Sequence, residues 1–175
     1  MTVTKDDLKR IMPNAGMVAL GTFCDPINST LSKYLIDTPL RASAFIAQIA
    51  HESGQLIYTK ELASGRAYEG RLDLGNTEPG DGIKFKGRGL IQITGRFNYE
   101  ALSKEFGVDF ISKPELLEGP LYATESAGWF WNLKGLNALA DIGDFQGITR
   151  RINGGLTGYL SRISFYARAK TVFGI

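Results

Sequence analysis

Cysteine is almost absent: Cys24 stands alone in 175 residues. No internal disulfide is possible, and the fold is expected to mature without oxidation, as a cytosolic protein does. His51 is the only histidine. One residue of each kind cannot supply a zinc cluster, so no metal and no cofactor is expected. It also leaves Cys24 without a partner as a nucleophile, and Cys24 reads as a buried structural thiol. No Gly-x-Ser-x-Gly elbow is present, and one histidine beside a glutamate makes no triad. Gly82 to Gly87 has the spacing of a phosphate loop, but Arg88-Gly89 stands where Lys-Ser/Thr is required. Basic residues number 20 against 18 acidic, a net charge of +2, with no basic run interleaved with aromatics. That makes no case for a nucleic-acid partner. No apolar run approaches membrane-spanning length, so no stable membrane anchoring is expected. Met1 to Met12 is charged and lacks the apolar core of a signal peptide. No linker, repeat or low-complexity stretch interrupts the chain. A single domain over residues 1–175, with no appended binding module, is the expectation.

Glycine, by contrast, is plentiful and clustered, between Gly65 and Gly95 and again at Gly154-Gly155. Helical patterns surround the first cluster. Thr4-Lys5-Asp6-Asp7 reads as a helix cap, followed by the apolar stripe of Leu8, Ile11 and Met12. A short helix is expected to open near Asp25-Pro26 and carry Ile27, Leu31, Tyr34 and Leu35. Thr38-Pro39 is a cap followed by a first-turn proline. Leu40, Ala44, Phe45, Ile46, Ala47, Ile49 and Ala50 then make a helix apolar all round, which predicts a buried central helix ending at Gly54. From Tyr58 to Thr94 helical periodicity fails and turn signals gather, predicting an irregular β-like lobe with one or two short strands. Helices resume after Asn98, with starts at Pro114, Pro120 and Asp144 and a last one over Leu160 to Phe173. Trp129 and Trp131 are read as core residues. The fold class is mainly α (α+β): a helical body and a small irregular β lobe flanking a cleft.

Chemistry concentrates at His51-Glu52-Ser53-Gly54. Glu52 falls at the C-terminal end of the apolar helix. The negative helix end and apolar neighbours both disfavour a charged carboxyl there, which suits a general acid. Hydrolysis of a glycoside needs a second carboxylate on the opposite face of the sugar, roughly 6.5–9.5 Å away in an inverting enzyme. Glu61, Glu69, Asp73, Glu78 and Asp81 all lie in the adjoining lobe, and spacing does not choose among them. Gln92 and Thr94 alternate with Ile91 and Ile93, so a strand would turn both to one face. Asn98, Tyr99 and Asn153 add groups able to hydrogen-bond hydroxyl and acetamido substituents.

These motifs resemble the family 19 glycoside hydrolases, the chitinase family, and in particular its phage endolysin branch. The resemblance rests on His51 to Gly54, Glu61 nine residues later, the block from Gly80-Asp81-Gly82 to Tyr99, Arg151-Ile152-Asn153-Gly154-Gly155, and Arg162-Ile163-Ser164-Phe165-Tyr166. It implies a lysozyme-like fold and hydrolysis with inversion. Glu52 matches the family's general acid and Glu61 the general base of its bacterial and phage members; at the spacing of plant members stands Leu74, which cannot serve. Thr94 matches the hydroxyl that helps place the attacking water. Gln92, Asn98, Asn153 and Arg162 match positions that bind sugar or hold the carboxylates, and Arg162 equally suits a structural ion pair. The implied protein is a monomeric endolysin, a lysozyme or N-acetylmuramidase. It would be made in a host bacterial cytoplasm, be released by a holin, and cut the glycan strands of peptidoglycan in the periplasm. A chitinase on the same fold and a lytic transglycosylase are the alternatives.

Overall fold

The computed structural model describes residues 1–175. Nine helices follow in chain order: α1 Lys5–Ile11, α2 Met17–Lys33, α3 Pro39–Glu52, α4 Asp81–Lys84, α5 Arg96–Phe106, α6 Pro120–Leu133, α7 Leu136–Asp141, α8 Phe145–Asn153 and α9 Tyr159–Phe173. The capping box at Thr4 forms as its sequence predicts, with Thr4 and Asp7 exchanging side-chain and backbone hydrogen bonds. None of the helices is long and apolar enough to cross a membrane.

The body is organised around α3. Thr38 caps it by accepting from the Arg41 N–H, and every residue from Ala42 to Ala50 is buried. α9 lies along it in the most extensive helix pairing of the fold. Trp131 of α6 is fully buried and meets Phe45 edge to face at 5.4 Å. Trp129 is buried too, so both tryptophans belong to the core. Cys24 is buried, with Sγ 3.5 Å from the Val3 carbonyl.

The second helix differs from expectation. It starts at Met17, not at Asp25, and Pro26 lies inside it. Leu20, Phe23 and Cys24 continue the buried stripe of Ile27 and Leu31 backwards, and that burial outweighs the missing N–H of Pro26. The proline leaves the Thr22 carbonyl without its helical donor, and Thr22 is exposed to water.

Residues 58–95 also depart from expectation, because they contain no strand. Only two isolated antiparallel bridges form, Lys60 with Arg88 and Arg88 with Ile93. Between them run short 3₁₀ turns at Arg66–Tyr68 and Leu72–Leu74, and the single-turn helix α4. Polar contacts replace a ladder. Arg96 grips the buried carboxyl of Asp81 through two bonds of 2.8 and 2.6 Å. Arg88 reaches Glu118 at 2.9 Å, and Lys60 reaches the same carboxyl at 3.1 Å.

Candidate active site

Glu52 is the last residue of α3, so the buried helix fixes its position. The chain then reverses sharply through three consecutive left-handed residues, Gly54, Gln55 and Leu56, with φ of +58°, +63° and +67°. For the two non-glycines this costs roughly 1–2 kcal/mol each. The buried Ser53 hydroxyl offsets it by donating to the Ile49 carbonyl at 2.6 Å and accepting from the Leu56 N–H at 2.8 Å. Gln55 contributes by accepting from the Asn14 N–H at 2.9 Å.

The surroundings of Glu52 are not the apolar ones that its helix alone suggests. Arg162 of α9, only 1% exposed, pairs with it at 2.6 Å. The same guanidinium donates to Gln48 Oε1 at 2.5 Å and to the Thr157 carbonyl at 3.3 Å. Gln48, one helical turn before Glu52, donates in turn to Thr149 of α8 at 2.9 Å. Three helices thus converge on one carboxyl. Arg162 is too buried to touch a glycan, and its place is that of the ion-pair partner which orients Glu52. Beside it, His51 Nδ1 lies 3.0 Å from the Ser161 hydroxyl. Burial, and then the nearby Arg162 charge, push the imidazole below its ordinary pKa and favour its neutral form. Gly158 passes so close that a Cβ there would lie 2.3 Å from the His51 ring.

The lobe carries the second carboxyl. Of the five acidic residues open on sequence, Glu69 is occupied by the N–H groups of Gly80 and Gly82, at 2.6 and 2.8 Å. Asp73 is paired with Arg71, Asp81 with Arg96, and Glu78 is fully at the surface. Glu61 is different. It is half-buried and held by neutral donors, Tyr68 Oη on Oε1 and the Gly87 N–H on Oε2, each at 3.0 Å. Its own N–H returns to the Gly87 carbonyl at 2.9 Å.

Gly87 also brings Gln92 to Glu61. A Cβ on Gly87 would lie 2.8 Å from Gln92 Oε1 and 3.2 Å from Glu61 Oε2, so the missing side chain is what lets these two groups approach. Gln92 and Thr94 do not reach this place along a strand. Arg88 and Ile93 close a tight turn through paired backbone bonds of 3.0 and 2.7 Å, and Gln92 is left-handed at φ +58°. The Thr94 hydroxyl donates to the Gln92 carbonyl at 3.0 Å, and Asn98 donates to the Thr94 carbonyl at 2.8 Å.

Two sequence-predicted positions stand apart. Tyr99 is fully buried, its hydroxyl donating to the Lys86 carbonyl at 2.7 Å and accepting from Arg88 at 3.0 Å. Burial, only partly opposed by Arg88, pushes the phenol up to about 12. Tyr99 therefore braces the lobe from beneath and cannot line a cleft. Asn153 is exposed at the end of α8 and opens the loop that returns over His51. Tyr68, the Gly87 N–H and Gln48 were not singled out on sequence. Gln48 had a legible signal, a buried-face amide one turn before Glu52; Tyr68 sits in an irregular loop and had none.

Cavities of about 270, 290 and 90 Å³ lie on the helical body, and none is lined by Glu52 or Glu61. No three His, Cys, Asp or Glu side chains gather as a metal site would require.

Residues 40–140 match the family model described as chitinase class I. A glycosyl hydrolase family 19 domain-containing protein of Haemophilus influenzae is 31% identical over 95% of this chain and 94% of its own. An endochitinase of Arabidopsis thaliana is 40% identical over 65% of this chain but only 39% of its own, so this chain spans less than half of that plant relative. Among solved structures, chitinase C from Streptomyces griseus superposes with a TM-score of 0.80 at 24% identity, covering 98% of this chain and 76% of that one.

Proposed function

The chain belongs to glycoside hydrolase family 19, and we propose that within it the protein is a peptidoglycan-degrading endolysin, a muramidase that inverts at the cut bond. The observation that carries the acid–base part of this reading is the contrast between two carboxyls, Glu52 paired with a buried arginine and Glu61 held only by neutral donors.

In the proposed reaction Glu52 donates its proton to the glycosidic oxygen as the bond to the anomeric carbon breaks. The negative charge that then develops on Glu52 is met by Arg162, already in place at no cost in reorganisation. From the other face a water attacks the anomeric carbon and gives its proton to Glu61. Glu61 makes no ion pair and is held by neutral donors alone. The Thr94 hydroxyl proton is committed to the Gln92 carbonyl, which leaves the hydroxyl oxygen to accept from that water. Gln92, whose Oε1 lies at Gly87 as Glu61 does, offers an amide to the sugar, and Asn98 and Asn153 serve as further contacts. The protein emerges with Glu52 ionised and Glu61 protonated, and a proton exchange with solvent resets it.

Peptidoglycan as substrate is supported by the resemblance of the motif run to the phage branch and by a buried lone cysteine that suits folding in a reducing cytoplasm. Release through a holin pore and action as a monomer in the periplasm belong to the same proposal. Chitin is the second candidate substrate, favoured by the similarity to a plant endochitinase. Incubating the protein with isolated Gram-negative peptidoglycan and, separately, with chitin oligosaccharides decides between them. New reducing N-acetylmuramic acid ends by mass spectrometry are expected. Cleavage of chitin alone would make the protein a chitinase, and anhydromuramic ends would make it a lytic transglycosylase.

A further inference from the structure

We propose that Tyr68 is a positioning residue for the reaction: its phenol fixes the orientation of Glu61 without an ion pair. The inference rests on the assignment of Glu61 as general base. The Tyr68 hydroxyl donates to Glu61 Oε1 at 3.0 Å while the Gly87 N–H donates to Oε2 at 3.0 Å. Each oxygen therefore has one neutral donor, and each keeps lone-pair capacity for a water. A carboxylate gripped by a guanidinium would be held as firmly, but its affinity for a proton would fall. In this lobe Asp73 and Asp81 are held in that way, and both are pushed below the ordinary carboxyl range, chiefly by the hydrogen bonds from Arg71 and Arg96. A base needs the opposite treatment, orientation without a countercharge.

The phenol is itself anchored. The Tyr68 carbonyl accepts from Asn76 Nδ2 at 2.8 Å, and Asn76 Oδ1 accepts from the Arg96 N–H at 2.9 Å. Asn76 is fully buried, so this tie is shielded from water. It joins Tyr68 to the start of α5, two residues beyond Thr94. One polar network thus ties the residue that holds Glu61 to the start of α5. Burial, with the bond to Glu61 adding to it, raises the Tyr68 pKa above its ordinary value, so the phenol remains a donor across the working range.

The test compares kcat, KM and pH profiles on peptidoglycan for the wild type, Tyr68→Phe, Glu61→Gln and the double variant. Phenylalanine keeps the ring and removes one oxygen, and thermal melting verifies that the fold is kept. Tyr68→Phe is expected to lower kcat about tenfold with KM unchanged, the equivalent of one charge-assisted hydrogen bond. The acid limb of its kcat profile is expected to move to higher pH, because the carboxylate has lost a donor. Glu61→Gln is expected to lower kcat roughly 10²–10⁴-fold, and adding Tyr68→Phe to it should cost nothing more. An unchanged kcat and profile in Tyr68→Phe would overturn the proposal. So would a further tenfold loss in the Glu61→Gln background, which would place the phenol on the substrate. Near-wild-type turnover by Glu61→Gln would instead sink the assignment of the base itself, whatever Tyr68→Phe does.

Discussion

The helical body and the small lobe each present one carboxyl, and they hold it by different means. In the body, burial does the structural work: α3 is apolar from Ala42 to Ala50 save for Ser43 and Gln48, and Glu52 rides on its end. In the lobe almost no regular backbone exists, and charged and amide side chains replace the ladder. The charges are distributed in the opposite sense at the two functional groups. The apolar body sets a buried cation against Glu52. The ion-paired lobe keeps its cations off Glu61 and offers it a phenol and an amide. Such a division suits an acid that becomes charged during the reaction and a base that must gain a proton.

The sharpest way to break this comparison is to remove Glu52, the proposed acid. Glu52→Gln should lower kcat roughly 10²–10⁴-fold while leaving the melting temperature close to wild type. A calorimetric scan beside the assay separates the two effects. Arg162→Met should act on both: Gln48 and Glu52 lose their shared donor inside the body, at a cost of about 3 kcal/mol, read from urea unfolding, and activity falls with it. In the lobe, Asp81→Asn leaves Arg96 without its carboxylate and should cost about 2 kcal/mol, with hydrogen exchange accelerated first in residues 60–95. Gly87→Ala should crowd Gln92 and Glu61 apart, lowering kcat/KM about tenfold, which corresponds to about 1.4 kcal/mol, with little change in unfolding.

Acid should separate the two regions by pH. The His51 pKa is lowered in the folded body, by burial first and then by Arg162. The unfolded chain therefore binds this proton more readily, and stability falls as pH drops below about 6.5. The Asp81 pKa is also lowered, through the bond from Arg96. Its contribution is fully present above about pH 4 and is lost only as pH falls through the lower folded value. Hydrogen exchange followed from pH 7 downwards should therefore loosen the loop over His51 before it loosens the lobe. Loss of the lobe first would contradict that order.

The sequence made the body legible and the lobe much less so, for a physical reason. Thr38-Pro39 and Gly54 bound α3 through local rules, and its apolar run foretells its burial. The start of α2 was hidden because Pro26 looks like a boundary, and only packing shows why it is not. In the lobe, alternation from Ile91 to Thr94 imitates a strand, yet Gln92 turns left-handed and the register is broken. Tyr99 and Tyr68 are indistinguishable as residue types. Tertiary contacts put the first under the lobe and the second on Glu61. The pairing of Glu52 with Arg162 spans most of the chain, so no local pattern points to it. Family resemblance suggested that position, and the geometry shows what it touches.

The most direct test of the two-carboxylate assignment is the anomeric configuration of the first product, followed by proton NMR before mutarotation sets in. Attack by a water held on Glu61, opposite the proton from Glu52, predicts the α-anomer from a β-linked glycan. The β-anomer, or an anhydro sugar with no free reducing end, would contradict it.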